Sequence, residues 1–116
     1  MAADRMAGEL APLLSPWQPA VLTMIREACR GAETHAKPIG VCGEAAGDPL
    51  MALVLAGLGA TSLSMAPVRI PAVRAALHAH GLQACREMAR AALSAPTAEL
   101  SQSAAADLFA TGEHAY

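Results

Sequence analysis

One segment organises the chain: Pro38-Ile39-Gly40-Val41-Cys42-Gly43-Glu44-Ala45-Ala46-Gly47-Asp48-Pro49. The β-branched residues before Cys42 predict a short strand that ends at the thiol. Two glycines and a carboxylate then predict a tight polar loop. Asp48 followed by Pro49 is typical of a helix start, because Asp caps the first turn and Pro fits the first helical position. The thiol therefore lies at the carboxyl end of a strand, the edge at which parallel α/β folds carry their chemistry.

Repeating apolar patterns predict further elements on both sides of this segment. Residues 19–35 carry apolar side chains at helical spacing and predict a helix before the strand. The helix after the loop extends over residues 48–58 and is apolar on nearly all sides, so it needs cover from several directions. Residues 61–66 alternate between apolar and polar and predict a second strand. Two strands joined by one helix form a right-handed βαβ unit with parallel strands.

The remainder of the chain predicts helices only. One helix follows the second strand and ends at Gly81, and another covers residues 82–95 with Leu82 and Cys85 facing inward. From there to residue 116 the sequence is rich in alanine and serine, and it predicts a weak last helix with a frayed end. None of the four histidines has a partner at metal-ligand spacing, so we expect no function from them.

The composition favours a small cytoplasmic protein or part of one. The net charge of −2, with scattered basic residues, indicates neither a nucleic acid nor an anionic membrane as partner. No apolar run reaches membrane-spanning length, and the N-terminus has no secretory signal pattern. Three cysteines without CxxC or CxxH spacing fit a reducing compartment better than a disulfide framework or a zinc site.

The motif Gly40-Val-Cys42-Gly-Glu44-Ala-Ala-Gly-Asp48 resembles the C-terminal domain of the phosphoenolpyruvate-utilising enzymes. Four other segments are similar to these enzymes in matching order: Asp4-Arg5, residues 17–22, residues 57–67 and residues 70–74. Residues 82–93 are similar to the terminal helix of the phosphoenolpyruvate–protein phosphotransferases (Enzyme I of the sugar phosphotransferase system). This block makes Enzyme I a closer match than pyruvate phosphate dikinase or phosphoenolpyruvate synthase.

The resemblance implies an α/β fold that is the C-terminal portion of a (β/α)8 TIM barrel. Residues 1–95 would supply two parallel strands with their flanking helices, and residues 96–116 a tail with a weak helix. A whole barrel needs about 250 residues, so this chain would be a C-terminal fragment of one. The resemblance further implies Mg²⁺ bound by ligands outside this chain, a phosphocarrier protein reached through an N-terminal domain, and a homodimer in the parent enzyme.

The resemblance also assigns roles to individual residues. In these enzymes phosphoenolpyruvate gives its phosphoryl group to a histidine on a separate domain, and the cysteine that matches Cys42 protonates the remaining enolate to give pyruvate. A free thiol is mostly protonated at neutral pH and can act as such an acid. Arg5 matches an arginine that contacts the substrate. Gly43 and Glu44 are possible supports of the active site, and Asp48 is expected to cap its helix. No metal ligand is expected within the chain.

Two alternatives to an Enzyme I fragment remain open at this point. The chain could be a non-catalytic remnant that associates with itself through its apolar helices and exposed strand edges. It could also be a fragment of the dikinase or the synthase. In every case we expect the isolated chain to be inactive, because the metal ligands and the phosphoacceptor histidine of these enzymes lie elsewhere.

Overall fold

The structure, a computed structural model, describes residues 15–114 of the chain. Within that range the elements in chain order are α1 (Pro19–Thr34), β1 (Gly40–Cys42), α2 (Pro49–Leu58), β2 (Ser62–Ser64), α3 (Ile70–Ala79), α4 (Leu82–Ser94) and α5 (Ala98–His114). Two short 3-10 turns precede α2 and α3, at Ala45–Gly47 and Pro67–Arg69. The predicted α/β class, with two parallel strands among helices, is confirmed.

The strands β1 and β2 form a two-stranded parallel sheet within the described residues. Cys42 pairs with Ser64 in the register of this sheet. At the other end, the Thr61 hydroxyl donates to the Ile39 carbonyl at 2.9 Å and accepts from the Ile39 N–H at 2.8 Å. These bonds join the amino-terminal ends of the two strands. Because the strands are parallel, their carboxyl ends lie side by side at the opposite end of the sheet.

Helix α2 is the centre of the core, as its apolar character predicts. Its buried residues are Met51, Ala52, Leu53, Val54, Leu55 and Leu58. The helix begins where the sequence indicates, because an Asp48 carboxylate oxygen accepts a hydrogen bond from the Met51 N–H at 3.2 Å. It ends at Gly59, whose φ of 118° lies in the left-handed region that favours glycine.

Helix α4 lies closely against α2, and a glycine permits that approach. A Cβ atom on Gly57 would collide with the backbone carbonyl of Cys85. The crossing buries Cys85 and Met88, as the sequence predicts for Cys85. The prediction that Leu82 faces inward is wrong, since its side chain is 54% exposed. Leu82 is the first residue of α4 and precedes the turn in which Cys85 meets α2.

Helix α5 occupies the region in which the sequence predicts a weak helix, and the predicted frayed end lies outside the described residues. It spans 17 residues, and Ala98, Ser101 and Ala105 on it are buried. The Ser101 hydroxyl donates a hydrogen bond of 2.8 Å to the Ala92 carbonyl of α4. Small side chains let the two helices approach closely, and composition alone does not reveal such packing because alanine and serine are equally common in loosely held segments.

Candidate active site

An open cleft of about 780 Å³ lies at the carboxyl ends of the two strands. Its walls are the loop after β1 and the turn after β2. The lining residues are Cys42, Gly43, Glu44, Gly47, Asp48, Ser64, Met65, Ala66, Val68 and Arg69. Three residues that the sequence analysis selected, Cys42, Gly43 and Glu44, thus lie together on one wall. Arg5, the proposed substrate-binding residue, is outside the described residues.

The Cys42 thiol is exposed at the end of β1, whereas the other two cysteines are buried. Cys29 belongs to α1 and Cys85 to α4, and both serve in the core as the sequence predicts. Burial raises the pKa of the Cys29 and Cys85 thiols above the ordinary range for cysteine. Of the three thiols, therefore, the one in the cleft is the one that a dissolved molecule can reach.

Gly43 turns the chain out of the sheet directly after the thiol. Its φ of 114° lies in the left-handed region, and a Cβ atom there would meet no atom within 4 Å. The requirement for glycine is thus one of backbone conformation and not of space. The Gly43 N–H donates to the Ser64 carbonyl at 3.2 Å, which extends the strand pairing one residue beyond Cys42.

The two carboxylate side chains that line the cleft, Glu44 and Asp48, have different environments. Glu44 is exposed at the start of the 3-10 turn, and its backbone carbonyl accepts a hydrogen bond from the Gly47 N–H at 3.0 Å. Asp48 is partly buried and caps α2 through Met51, as the sequence predicts. Across the described residues no three His, Cys, Asp or Glu side chains converge in a way that could hold a metal ion.

Arg69 is the lining residue that the sequence analysis missed. It ends the turn after β2 and faces the loop that carries the thiol. A Cβ atom on Gly47 would lie 3.2 Å from the Arg69 Cγ atom. The aliphatic part of the Arg69 side chain therefore packs on the Gly47 backbone, where no side chain intervenes. The position of Arg69 in the sequence could have identified it. Cys42 ends one parallel strand and Arg69 follows the end of the other, and ligands bind at this edge of the sheet in such folds.

Helices in the described part of the chain are either too short or too polar to cross a membrane.

Comparison with known proteins identifies relatives over most of the chain. The family model described as "PEP-utilising enzyme, PEP-binding domain" matches residues 1–81. A phosphoenolpyruvate-protein phosphotransferase of Streptomyces coelicolor is 48% identical over 104 residues, which are 90% of this chain and 19% of that protein. A multiphosphoryl transfer protein of Xanthomonas campestris is 48% identical over 99 residues, or 85% of this chain and 12% of that protein.

A more distant relative has the same kind of name. Multiphosphoryl transfer protein 1 of Escherichia coli K12 is 38% identical over 98 residues, which are 84% of this chain and 12% of that protein. The chain thus spans less than a fifth of the length of each of these three relatives.

Proposed function

This chain belongs to the phosphoenolpyruvate-utilising enzymes, as part of their PEP-binding domain, and we propose that it serves a phosphoenolpyruvate–protein phosphotransferase of the Enzyme I type. In the proposed reaction the phosphoryl group of phosphoenolpyruvate passes to a histidine on another domain and then to a phosphocarrier protein. The names of the relatives favour this enzyme over the dikinase or the synthase.

We further propose that the described strands are the last two of a (β/α)8 barrel, for which about 250 residues are needed. Two observations support this assignment. The strands are parallel and joined by a helix, as every neighbouring pair in such a barrel is. The cleft lies at the carboxyl ends of the strands, where barrels carry their active sites. The rest of the barrel, and a homodimer of barrels in the cytoplasm, belong to the same proposal.

The step assigned to this chain is the protonation of an enolate. Loss of the phosphoryl group leaves the enolate of pyruvate, whose CH₂ carbon must gain a proton. The Cys42 thiol supplies it: the S–H bond breaks, a C–H bond forms, and pyruvate and a thiolate result. The thiolate then takes a proton from water. The observation that carries the proposal is the exposed thiol of Cys42 at the end of β1, on the wall of the cleft.

The remaining residues would support this step. Arg5 is proposed to grip the phosphate or carboxylate of the substrate, since a guanidinium can donate two parallel hydrogen bonds to such groups. Gly43 would hold the turn that presents the thiol, and Glu44 would face the ligand from the same wall. Magnesium would be held by residues outside this chain and would offset the charge of the phosphate. No step described for Cys42 depends on the metal ion.

A chimera tests the proposal. The matched segment of the Streptomyces coelicolor relative is replaced by this chain, and pyruvate release from phosphoenolpyruvate is measured with a phosphocarrier protein. We expect an active chimera in which Cys42→Ala slows pyruvate formation by about 100-fold or more, as loss of a general acid does. Ser94→Ala, a small change at an exposed residue of α4 that does not line the cleft, serves as the control and should retain most of the activity. An unchanged rate in Cys42→Ala would exclude the thiol as proton donor.

A second candidate function, self-association without catalysis, is favoured by exposed apolar side chains. Val68 is 83% exposed and Met24 70% exposed, and the outer edge of each strand is unpaired within the described residues. Analytical ultracentrifugation of the isolated chain measures this. A tight, folded oligomer together with an inactive chimera would favour the second function over the first.

A further inference from the structure

We propose that Arg69 is the residue that holds the carboxylate of the small acid in the cleft, with the acid's reactive carbon beside the Cys42 thiol. The two side chains come from different strand ends. Cys42 ends β1, and Arg69 ends the turn that follows β2, yet both line the same cleft. The identity of the bound acid rests on the proposed function. The existence of an anion site in the cleft does not.

The stem of Arg69 is held against the loop that carries the thiol. An added Cβ on Gly47 would lie 3.2 Å from its Cγ atom and 3.3 Å from its Cβ atom, so the stem packs directly on the Gly47 backbone. A Cβ atom at position 47 would require the arginine stem to shift by a few tenths of an ångström. Gly47 itself is buried and follows Cys42 within one short loop. The same loop therefore positions the Cys42 thiol and the aliphatic part of the Arg69 side chain.

The guanidinium of Arg69 has no carboxylate partner within 4 Å among the described residues, where the ion pairs join Glu27 to Arg26 and Arg30. Of the two carboxylates in the cleft, Asp48 accepts the capping bond from α2, and Glu44 is exposed to solvent. Both α2 and α3 also begin at this cleft, and the positive ends of their backbone dipoles favour an anion there. Among the described residues, therefore, no ion pair engages Arg69, and its guanidinium can bind an anion from solution.

The chemistry of the proposed step selects the carboxylate over the phosphate. When the thiol donates its proton, the phosphoryl group has already left, and the carboxylate is the permanent anionic group that remains on the substrate. An arginine that lines the same cleft as the thiol can hold that group through two hydrogen bonds and so orient the CH₂ carbon towards the sulfur. Arg69 is accordingly a residue for binding carboxylates such as pyruvate.

The test compares two reagents on the complete 116-residue chain. Iodoacetate carries a carboxylate and iodoacetamide is its neutral analogue, and both alkylate an accessible thiol with loss of iodide. We expect the iodoacetate-to-iodoacetamide rate ratio at Cys42, read by mass spectrometry, to fall roughly threefold or more in Arg69→Gln. Arg69→Lys, which keeps the charge, should lie between the two.

Arg74→Gln is the matched control, because Arg74 lies on α3, directly after the turn that carries Arg69, but lines a different groove. Its rate ratio should equal that of the unchanged chain. Circular dichroism checks that each variant is folded. An equal ratio in Arg69→Gln and Arg74→Gln would overturn the inference, because the anion would then not be held by Arg69.

Protection experiments separate the two kinds of anion. Pyruvate should slow the alkylation of Cys42 by iodoacetamide in the unchanged chain and fail to do so in Arg69→Gln. Equal protection by inorganic phosphate would overturn the assignment to carboxylates. If the Arg69 effect is observed but the Cys42→Ala chimera keeps its rate, the anion site stands and the proton-donor role is wrong. If Cys42→Ala slows the chimera but Arg69→Gln leaves the alkylation rate ratio unchanged, the proton-donor role stands and the anion site at Arg69 is wrong.

Discussion

The three cysteines occupy two kinds of environment, buried and exposed, and the difference predicts their reactivity. The Cys29 and Cys85 side chains are 3% and 2% exposed, and burial raises the pKa of both thiols. Each of them is shielded from reagents and also less able to form the reactive thiolate. Cys42 is exposed to reagents in solution.

We therefore expect one fast-reacting thiol per folded chain. With a chromogenic disulfide reagent at neutral pH, Cys42 should react at least about 100-fold faster than the other two, whose reaction requires local opening of the core. In guanidinium chloride all three thiols should react at similar rates. Loss of the fast phase in Cys42→Ser identifies the residue, and two fast thiols in the folded chain would contradict the structure.

His80 joins two helices, although no partner for it is visible in the sequence. It is 3% exposed, and its Nδ1 and Nε2 atoms lie 2.9 Å and 3.1 Å from the carbonyl oxygens of Ala76 and Phe109. Its ring also stacks on that of Phe109 with centroids 4.7 Å apart. We expect His80→Ala to lower the free energy of unfolding by about 2–4 kcal/mol, through the cavity left by the ring and the loss of its polar and stacking contacts with Phe109.

His78 provides the control for this change, since it lies two residues earlier, in the last turn of α3, but is exposed. His78→Ala should change the free energy of unfolding by less than about 0.5 kcal/mol. Urea denaturation followed by circular dichroism measures both values. A His80 variant as stable as the His78 variant would show that the link between α3 and α5 contributes nothing to stability.

At the scale of elements, the crossing of α2 and α4 depends on one glycine. Gly57→Ala would drive a methyl group into the Cys85 carbonyl, so the helices must separate and leave the core less well packed. We expect a loss of about 2 kcal/mol or more in the free energy of unfolding.

Gly31→Ala is the matched comparison, because Gly31 also lies in a helix but a Cβ there meets nothing within 4 Å. That change should stabilise the chain by up to about 1 kcal/mol, since alanine is the better helix former. Thermal unfolding of the two variants should therefore shift the midpoint in opposite directions. Equal shifts would mean that the close contact at Gly57 is absent.

At the scale of the whole molecule, α5 completes the core that α2 and α4 begin. Its buried residues, Ala98, Ser101 and Ala105, pack on α4. A chain that ends at Ala95 should therefore lose several kcal/mol of stability, about 3 or more, and expose apolar surface. A chain that ends at Thr111 retains the described contacts of α5 and should unfold like the complete chain. Differential scanning calorimetry distinguishes the two, and equal stability would support a separable tail.

Much of the local architecture was predictable from the sequence. The strand before Cys42, the cap at Asp48 and the apolar helix after it follow from residues that are neighbours in the chain. Membership of the family is also a property of the sequence, because the motif around Cys42 and its flanking segments are in matching order. Such features are determined within a few turns of backbone, where local preferences for β-branched residues, caps and apolar spacing act.

Three features were decided only by the tertiary structure. These are the packing of the Arg69 side chain on the Gly47 backbone, the contact of His80 with Phe109, and the close crossing of α2 and α4 at Gly57. Each joins residues from different elements, and each depends on the angle and distance at which those elements pack. Local preferences do not contain that information, because the packing geometry results from the combined shape of many buried side chains. For the same reason the sequence predicted a thiol at a strand end, whereas only the fold showed that Arg69 lines the same cleft.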